Sequence, residues 1–429
     1  MRSSRMPMED SKMDGARVSG RRLAAVALSL ALAAGGLGLA GFRARMRPPA
    51  PSTSIITYPA AAQVSDFDLM TGELAARERR GEHPKLVFGS SELAPNQAGP
   101  AHPARLFTNG RYAIDAAVMG RAGTADLWSA IEMGAMAPRV SDRRMVFFVS
   151  MQWFMAYRKP EKEFPAVFSE GAYRAFMENP DISDGLKARI TDRMAEYGVD
   201  RRAGSTALGG IVQEVDGWAA GLAADLRRAA GSDPVDAPGA QSVPVRDASK
   251  ALGADEQAAQ PRTPSGDPDW ATLFSRAEAD ARSRSAGNAD GFYDSWYKKR
   301  YRRWEEGARS TWKAPRDGSY FSRQELDDFK MLLEVCREAG IEPLIVIQPV
   351  KGVAYDKTVY TAEVRERYYD MIRGAAREAR VSVADFSDRE YDPLFLRDYS
   401  HPSDLGGAWY ARAIYSWFAT GEAETARAF

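Results

Sequence analysis

Residues 86–93 read LVFGSSEL. A short apolar run stops at Gly89 and is followed by two serines and a carboxylate. As a strand running into a tight turn, this stretch sets the fold. If a base stands elsewhere in the chain, one of its serines is also a nucleophile. Three further runs have the same character: MVFFVS (145–150), LIVIQP (344–349) and VSVADF (381–386). Each is too short for a helix and rich in Val, Ile or Phe, which predicts buried strands. Helical patterns separate them. In SRQELDDFKMLLEVCREAG, Ser322 and Glu325 form a capping-box signature. Leu326, Phe329, Leu333 and Cys336 share one face, and Gly340 closes the helix. Strands alternating with helices predict an α/β fold, a parallel sheet covered on both sides.

The 429 residues carry 58 Lys plus Arg and 58 Asp plus Glu, so the overall balance gives no hint of nucleic acid, although the charge is unevenly distributed. The single cysteine, Cys336, excludes an intrachain disulfide and lies on the apolar face of its helix, as a core residue. Leu23 to Phe42 is uncharged and of bilayer-spanning length. Lys12, Arg17, Arg21 and Arg22 precede it, and Arg43, Arg45 and Arg47 follow. This reads as residues 1–22 forming a cytoplasmic tail, 23–42 a transmembrane anchor and 43–83 a juxtamembrane linker, with a folded domain over 84–429 outside the cytoplasm. A signal peptide cleaved near Leu39-Ala40 is the competing reading. Residues 231–269, rich in Pro, Gly, Ala and Asp, read as a disordered insertion.

Three histidines are present: His83, His102 and His401. His401 lies in RDYSHPSDLGGAWY, three residues after Asp398. An Asp-x-x-His turn lets the carboxylate hold one ring nitrogen while the other faces outward. The following helix, with Tyr410, Ile414 and Trp417 on one face, anchors the turn. Alone the pair is a weak signal that reads first as a surface loop, and GSSEL also reads as a helix cap with Glu92 in its first turn, a role compatible with a nucleophile. Together they place a serine and a base at the mouth of a parallel sheet. His83 and His102 show no metal-ligand spacing and read as structural; neither a metal nor a cofactor is expected.

Serine near the start of the domain and Asp-x-x-His near its end resembles the layout of the SGNH (GDSL-like) hydrolases. More closely, the chain resembles the DltD family, membrane-anchored proteins of teichoic acid D-alanylation. The similarity rests on GSSEL (89–93), AHPARLF (101–107), MGRAGT (119–124) and VFFVSMQWF (146–154), with Met151 in place of a proline. It continues through NADGFYDSWYKKRYRRW (288–304), SYFSRQELDDF (319–329) and IQPVKGVAYD (347–356). The resemblance implies an SGNH-like three-layer domain with Ser91 as nucleophile, His401 as base and Asp398 as its orienter. It implies an oxyanion hole of Ser91 N–H, Gly123 N–H and the Gln152 side chain. Ser90 stands where GDSL has aspartate. Pro402-Ser403-Asp404 after His401 departs from the family's Leu-Gly, and Asp404 is a second carboxylate able to compete for the histidine.

The activity so implied is transfer of D-alanine from a donor ester or thioester to a teichoic acid hydroxyl. An esterase or thioesterase acting on D-alanyl esters, or a non-enzymatic scaffold, are the alternatives. Lys298, Lys299, Arg300, Arg302 and Arg303, interleaved with aromatics, are candidates for the polymer phosphates or for the lipid bilayer; nucleic acid is not expected outside a membrane. The same cations are equally a solvated helix face. Other membrane components of the D-alanylation machinery are implied partners. Trp153, Phe154, Tyr355 and Trp409 are candidates for an aromatic cleft, though core positions suit them better.

Overall fold

The computed structural model describes residues 63–93, 99–107, 112–120, 123–201 and 266–425. They lie in one compact unit, Pro51–Phe429. In chain order the main elements are α1 (Gln63–Arg79), β1 (Lys85–Gly89), β2 (Ala116–Gly120), α2 (Asp126–Met136), β3 (Arg144–Val149), α3 (Glu170–Met177) and α4 (Asp184–Glu196). After them come α5 (Trp270–Arg284), α6 (Arg302–Thr311), α7 (Arg323–Glu338), β4 (Glu342–Ile347), α8 (Ala362–Ala379), β5 (Ser382–Asp385) and α9 (Asp404–Thr420).

The five strands form one parallel sheet in the order β2-β1-β3-β4-β5. The period-2 geometry of a strand divides its side chains between two cores. Leu86, Phe88, Met145, Phe147, Ile345 and Ile347 face one layer, with α1, α2, α3, α4, α7 and α8. Val87, Val146, Phe148, Leu344 and Val346 face the other, with α5 and α9. Burial on both faces is why these strands read as continuous apolar runs. The result is a three-layer α/β/α sandwich.

Four strands fall on the four predicted runs. The fifth, β2, has the sequence AAVMG, in which small residues flank a single valine and no run of large apolar residues marks a strand. Its closing glycine has a packing cause. A Cβ on Gly120 would lie 2.4 Å from Leu93 Cβ and 2.8 Å from the Ser90 carbonyl, so only glycine lets the turn after β1 lie against β2. In α7, Ser322 Oγ accepts the Glu325 N–H at 3.1 Å, as the capping signature predicts. The return half of the box is absent: the Glu325 carboxylate accepts the Asp126 N–H at the start of α2 instead, and Ser322 N–H donates to Phe154 O. Cys336 is buried and its thiol is pushed up to about 12 by that burial, which makes it unreactive.

Two boundaries move. The stretch 43–83 was expected to be a linker, yet α1 occupies its second half. Phe67, Met70 and Leu74, at helical spacing, are buried in the core. Buried Arg77 pairs with Glu82 and with Asp115, just before β2. The packed domain therefore begins by Gln63, not near Pro84. At the insertion, residues 231–265 lie outside the described residues, but Gly266–Asp269 belong to the fold. Asp267 accepts the Tyr415 hydroxyl and Asp269 caps α5 through the Thr272 N–H at 3.1 Å. The tail, the anchor over 23–42 and residues 43–62 also lie outside the described residues. Among the described residues no helix is long and apolar enough to cross a membrane.

If α1 is part of the domain, Leu74→Ala is expected to lower the unfolding free energy by about 2–5 kcal/mol, as truncation of a fully buried leucine does. Denaturant titration would measure it, and a change within error would return α1 to the linker.

Candidate active site

The site forms where β1 and β3 end. The chain leaving β1 passes through the helical turn Pro103–Leu106 on the α9 face. The chain leaving β2 passes through α2 on the opposite face. In open parallel sheets such divergence leaves a crevice at the carboxyl ends of the strands. The turn beyond β1 is fixed from several sides. Leu93 N–H donates to Ser90 O, closing the 3-10 turn Ser91–Leu93. Thr124 Oγ1 donates to Gly89 O at 2.8 Å. Buried Glu92 accepts the Ser90 N–H at 2.6 Å; burial raises its pKa, and that hydrogen bond works against the rise. A Cβ on Gly89 would lie 2.3 Å from the Glu92 carboxylate and would displace the side chain that accepts the Ser90 N–H.

His102 supports the same turn. Its Nδ1 accepts the Ala104 N–H at 3.2 Å and the Glu92 main chain lies on its other side. Burial, reinforced by Arg397, pushes its pKa down to about 3, so the ring is neutral and structural, as its sequence context suggested.

The opposite wall is the loop between β5 and α9. Arg397 N–H donates to His401 O at 3.0 Å, and Tyr293 N–H donates to Arg397 O at 2.8 Å. Within this loop Asp398 Oδ1 accepts the N–H groups of Ser400 (2.9 Å) and His401 (2.8 Å). The carboxylate also holds His401 Nδ1, with Oδ2 at 2.9 Å and Oδ1 at 3.0 Å. His401 Nε2 then stands 2.9 Å from Ser91 Oγ. Burial alone would raise the Asp398 pKa. The His401 charge and hydrogen bonds, with Arg397 nearby, outweigh it and hold the carboxyl well below its usual range. Asp398 is thus a carboxylate at neutral pH. Such an arrangement can draw a proton from Ser91 Oγ and stabilise the imidazolium that results.

Asp404 does not compete for the histidine. Its carboxylate accepts the Tyr293 hydroxyl at 2.7 Å and pairs with Arg284 at 3.4 Å.

The three expected oxyanion donors stand differently. Among the described residues no acceptor takes the Ser91 N–H. The Gly123 N–H, at a left-handed glycine with φ +87°, donates to Ser90 Oγ at 3.2 Å. Gln152 Nε2 donates to the Tyr355 hydroxyl at 3.1 Å.

Trp153, Phe154, Tyr355 and Trp409 are all buried. They are core residues: Phe154 packs on Phe329 and Tyr368, and Trp409 on Phe274. The aromatic wall of the site is built from other residues. Tyr399 meets the His401 ring edge-on at 6.2 Å and stacks on Trp304 at 5.2 Å. Trp304 in turn reaches Tyr355 at 5.8 Å, and Trp312 reaches it at 5.5 Å. Sequence reading saw Trp304 only as an interruption of a basic run and passed over Tyr399 and Trp312; Tyr399, two residues from His401, was the available signal.

Lys298, Lys299, Arg300, Arg302 and Arg303 are exposed. Lys298, Lys299 and Arg300 lie within a π-helical turn, Tyr297–Tyr301, whose two tyrosines stack at 4.8 Å, and Arg302 and Arg303 open α6 directly after it. Arg302 pairs with Glu306, while Arg300 is near enough to Tyr399 to act on its phenol. Among the described residues no group of three His, Cys, Asp or Glu side chains could hold a metal ion.

An α/β/α sandwich with a hydrogen-bonded Ser–His–Asp chain at the carboxyl edge of its sheet is therefore the class of molecule observed. The family described as DltD protein matches residues 63–419, and the chain belongs to that family. It is similar to Protein DltD of Bacillus subtilis (strain 168), 26% identical over 345 residues, covering 78% of this chain and 82% of the relative. It is also similar to Protein DltD of Staphylococcus aureus (strain NCTC 8325 / PS 47), 21% identical over 320 residues, covering 73% and 76%.

Asp398→Asn separates loop architecture from base orientation. One amide oxygen can keep both backbone N–H bonds, so the melting temperature should change little. The amide N–H₂ would face Nδ1 and impose the wrong tautomer, and labelling of Ser91 by a fluorophosphonate should slow by about 10⁴-fold. Labelling at the wild-type rate would show that Asp398 does not orient a base.

Proposed function

We propose that this protein is a membrane-anchored acyltransferase of teichoic acid D-alanylation, working outside the cytoplasm through a covalent D-alanyl-Ser91 ester. The observation that carries this reading is the unbroken hydrogen-bonded chain Asp398–His401–Ser91. Family membership, and the resemblance of the Ser91 and Asp398–His401 blocks to the SGNH layout, supply the substrate class.

His401 Nε2 takes the Ser91 proton as Oγ attacks the carbonyl carbon of a D-alanyl ester or thioester. A C–O bond forms and the carbonyl oxygen becomes an oxyanion. The Ser91 N–H, which no acceptor takes among the described residues, would receive it. The Gly123 N–H joins by exchanging Ser90 Oγ for the oxyanion, and the Gln152 amide by leaving Tyr355; each such donor is worth about 2.7–4 kcal/mol in the barrier. Collapse expels the donor's oxygen or sulfur, which leaves with the proton from His401. A teichoic acid hydroxyl then gives its proton to His401 and attacks the acyl carbon, and His401 returns that proton to Ser91 Oγ as the acyl–serine bond breaks. Tyr399 and Trp304 line the approach to His401 and favour this hydroxyl over water by limiting solvent access.

The exposed cations from Lys298 to Arg303 supply the charge that a polyphosphate acceptor requires, and Arg300 brings that charge toward Tyr399. The apolar run Leu23–Phe42 would hold the domain near the lipid-linked polymer. A scaffold with no chemistry of its own would need no ordered triad, so the 2.9 Å contacts weigh against it.

The test uses protein beginning at Pro51, a D-alanyl thioester and glycerol-phosphate polymer. D-alanyl ester should appear on the polymer with wild type and not with Ser91→Ala. Joint replacement of Lys298, Lys299, Arg300 and Arg303 by alanine should raise the polymer concentration required and weaken its salt dependence, leaving hydrolysis of a small ester unchanged. Release of free D-alanine at one rate with and without polymer would make the protein an esterase.

A further inference from the structure

Lys351 follows β4 and is buried, with 1% of its surface exposed. Its ammonium is held by backbone carbonyls from separate segments: Pro393 O at 2.7 Å, Leu396 O at 2.7 Å and Gly291 O at 3.0 Å. An ammonium has three N–H donors, and all three are used. The Phe292 ring lies 5.2 Å from Nζ, and the Lys351 main-chain N–H donates to Tyr399 O at 3.0 Å. Lys351 thus grips the β5–α9 loop on both sides of Asp398, at Leu396 and at Tyr399. The convergence is tight. Gly291 has φ +71°, and a Cβ there would lie 1.8 Å from Pro393 O, so the two backbones touch with no room for a side chain.

We infer that Lys351 is a positioning residue for the Asp398–His401 pair: its ammonium gathers three carbonyls as a bound cation would, and so sets the distance from His401 Nε2 to Ser91 Oγ. This rests on the reading of Ser91 as nucleophile. A merely stabilising role is the alternative, and an apolar isostere often replaces a buried charge at little cost.

Proton loss provides the discriminating measurement. Burial pushes Lys351 down from its ordinary 10.5 to about 8, against the opposing charges of Asp392, Asp398 and Asp290. The neutral amine has two N–H donors, and its lone pair must face one of the three carbonyls. Loop geometry should therefore loosen above about pH 8. Stability moves the other way. The unfolded chain holds the proton up to the ordinary value, so between the two values it binds more protons than the folded chain and this group's contribution rises with pH. Deprotonation of Lys351 therefore does not itself unfold the protein, and the melting temperature recorded alongside separates loss of activity from unfolding.

The full-length chain in detergent would be labelled at Ser91 with a fluorophosphonate from about pH 6 to about pH 10, with melting temperatures recorded alongside. The wild-type rate should fall above about pH 8 while the melting temperature does not. Lys351→Arg, charged throughout, should lack that limb. Lys351→Met, where folded, should label about 10²-fold more slowly at neutral pH, the scale of a 1 Å misplacement. An unchanged alkaline limb in Lys351→Arg, or wild-type labelling by folded Lys351→Met, would overturn the proposal. A second arm needs no reactivity. With three histidines in the chain, ¹⁵N-histidine spectra can follow the His401 Nδ1–H signal. Its broadening above about pH 8 in wild type supports the positioning role, and an unchanged signal overturns it. Wild type that never labels would instead count against the nucleophile, leaving the spectra to decide Lys351.

Discussion

The 2.9 Å contact between Ser91 Oγ and His401 Nε2 joins residues 310 positions apart in sequence. Every layer of the fold contributes to keeping it. The parallel sheet brings the ends of β1 and β5 to the same edge. Gly89 and Gly120 allow the Ser91 turn to lie close against the strands. Nearly all of α9 is buried, with Tyr410 packed on Phe148, Phe386 and Phe395, and this fixes the far side of the histidine loop.

Charge is buried around this contact in several ways, each with its own compensation. Asp398 stays ionised because the histidine, two N–H groups and Arg397 outweigh its desolvation. Lys351 remains charged at neutral pH because three carbonyls solvate it. Fully buried Arg365 binds Glu390 through two nitrogens and Asp356 through a third. The buried carboxyls Asp126, Glu325 and Asp328 are instead shifted toward their protonated forms. Burial raises all three, and mutual repulsion adds to the rise for Asp126 and Asp328. That cluster ties α2 to α7 just beyond Gly123 and Thr124. The loop flanking Ser90 is thereby anchored to the core rather than left to solvent.

Much of this was legible in sequence because it depends on local pattern. Four strands are short runs of Val, Ile, Leu and Phe, and the Asp398–His401 turn is a spacing of three. The features that escaped notice depend on partners far away. β2 ends in glycine because of the turn that packs over Gly120, which no window around AAVMG contains. Glu325 has the spacing of a capping box, yet its carboxylate serves another helix, since Ser322 N–H is taken by Phe154 O. The linker was extended over α1 because composition dominated the reading, although Phe67, Met70 and Leu74 carried a helical stripe. Lys351 stood within a stretch resembling the family, but its role depends on backbone carbonyls, which sequence does not display.

In the mechanism proposed, Ser91 carries the acyl group. Intact and peptide mass spectrometry after brief exposure to a D-alanyl thioester tests it most directly. An adduct of one D-alanyl group on the peptide containing Ser91, absent in Ser91→Ala and slowed in His401→Ala, is the predicted result. Folded wild type that carries no adduct while the donor survives, or an adduct that persists in Ser91→Ala, would contradict it.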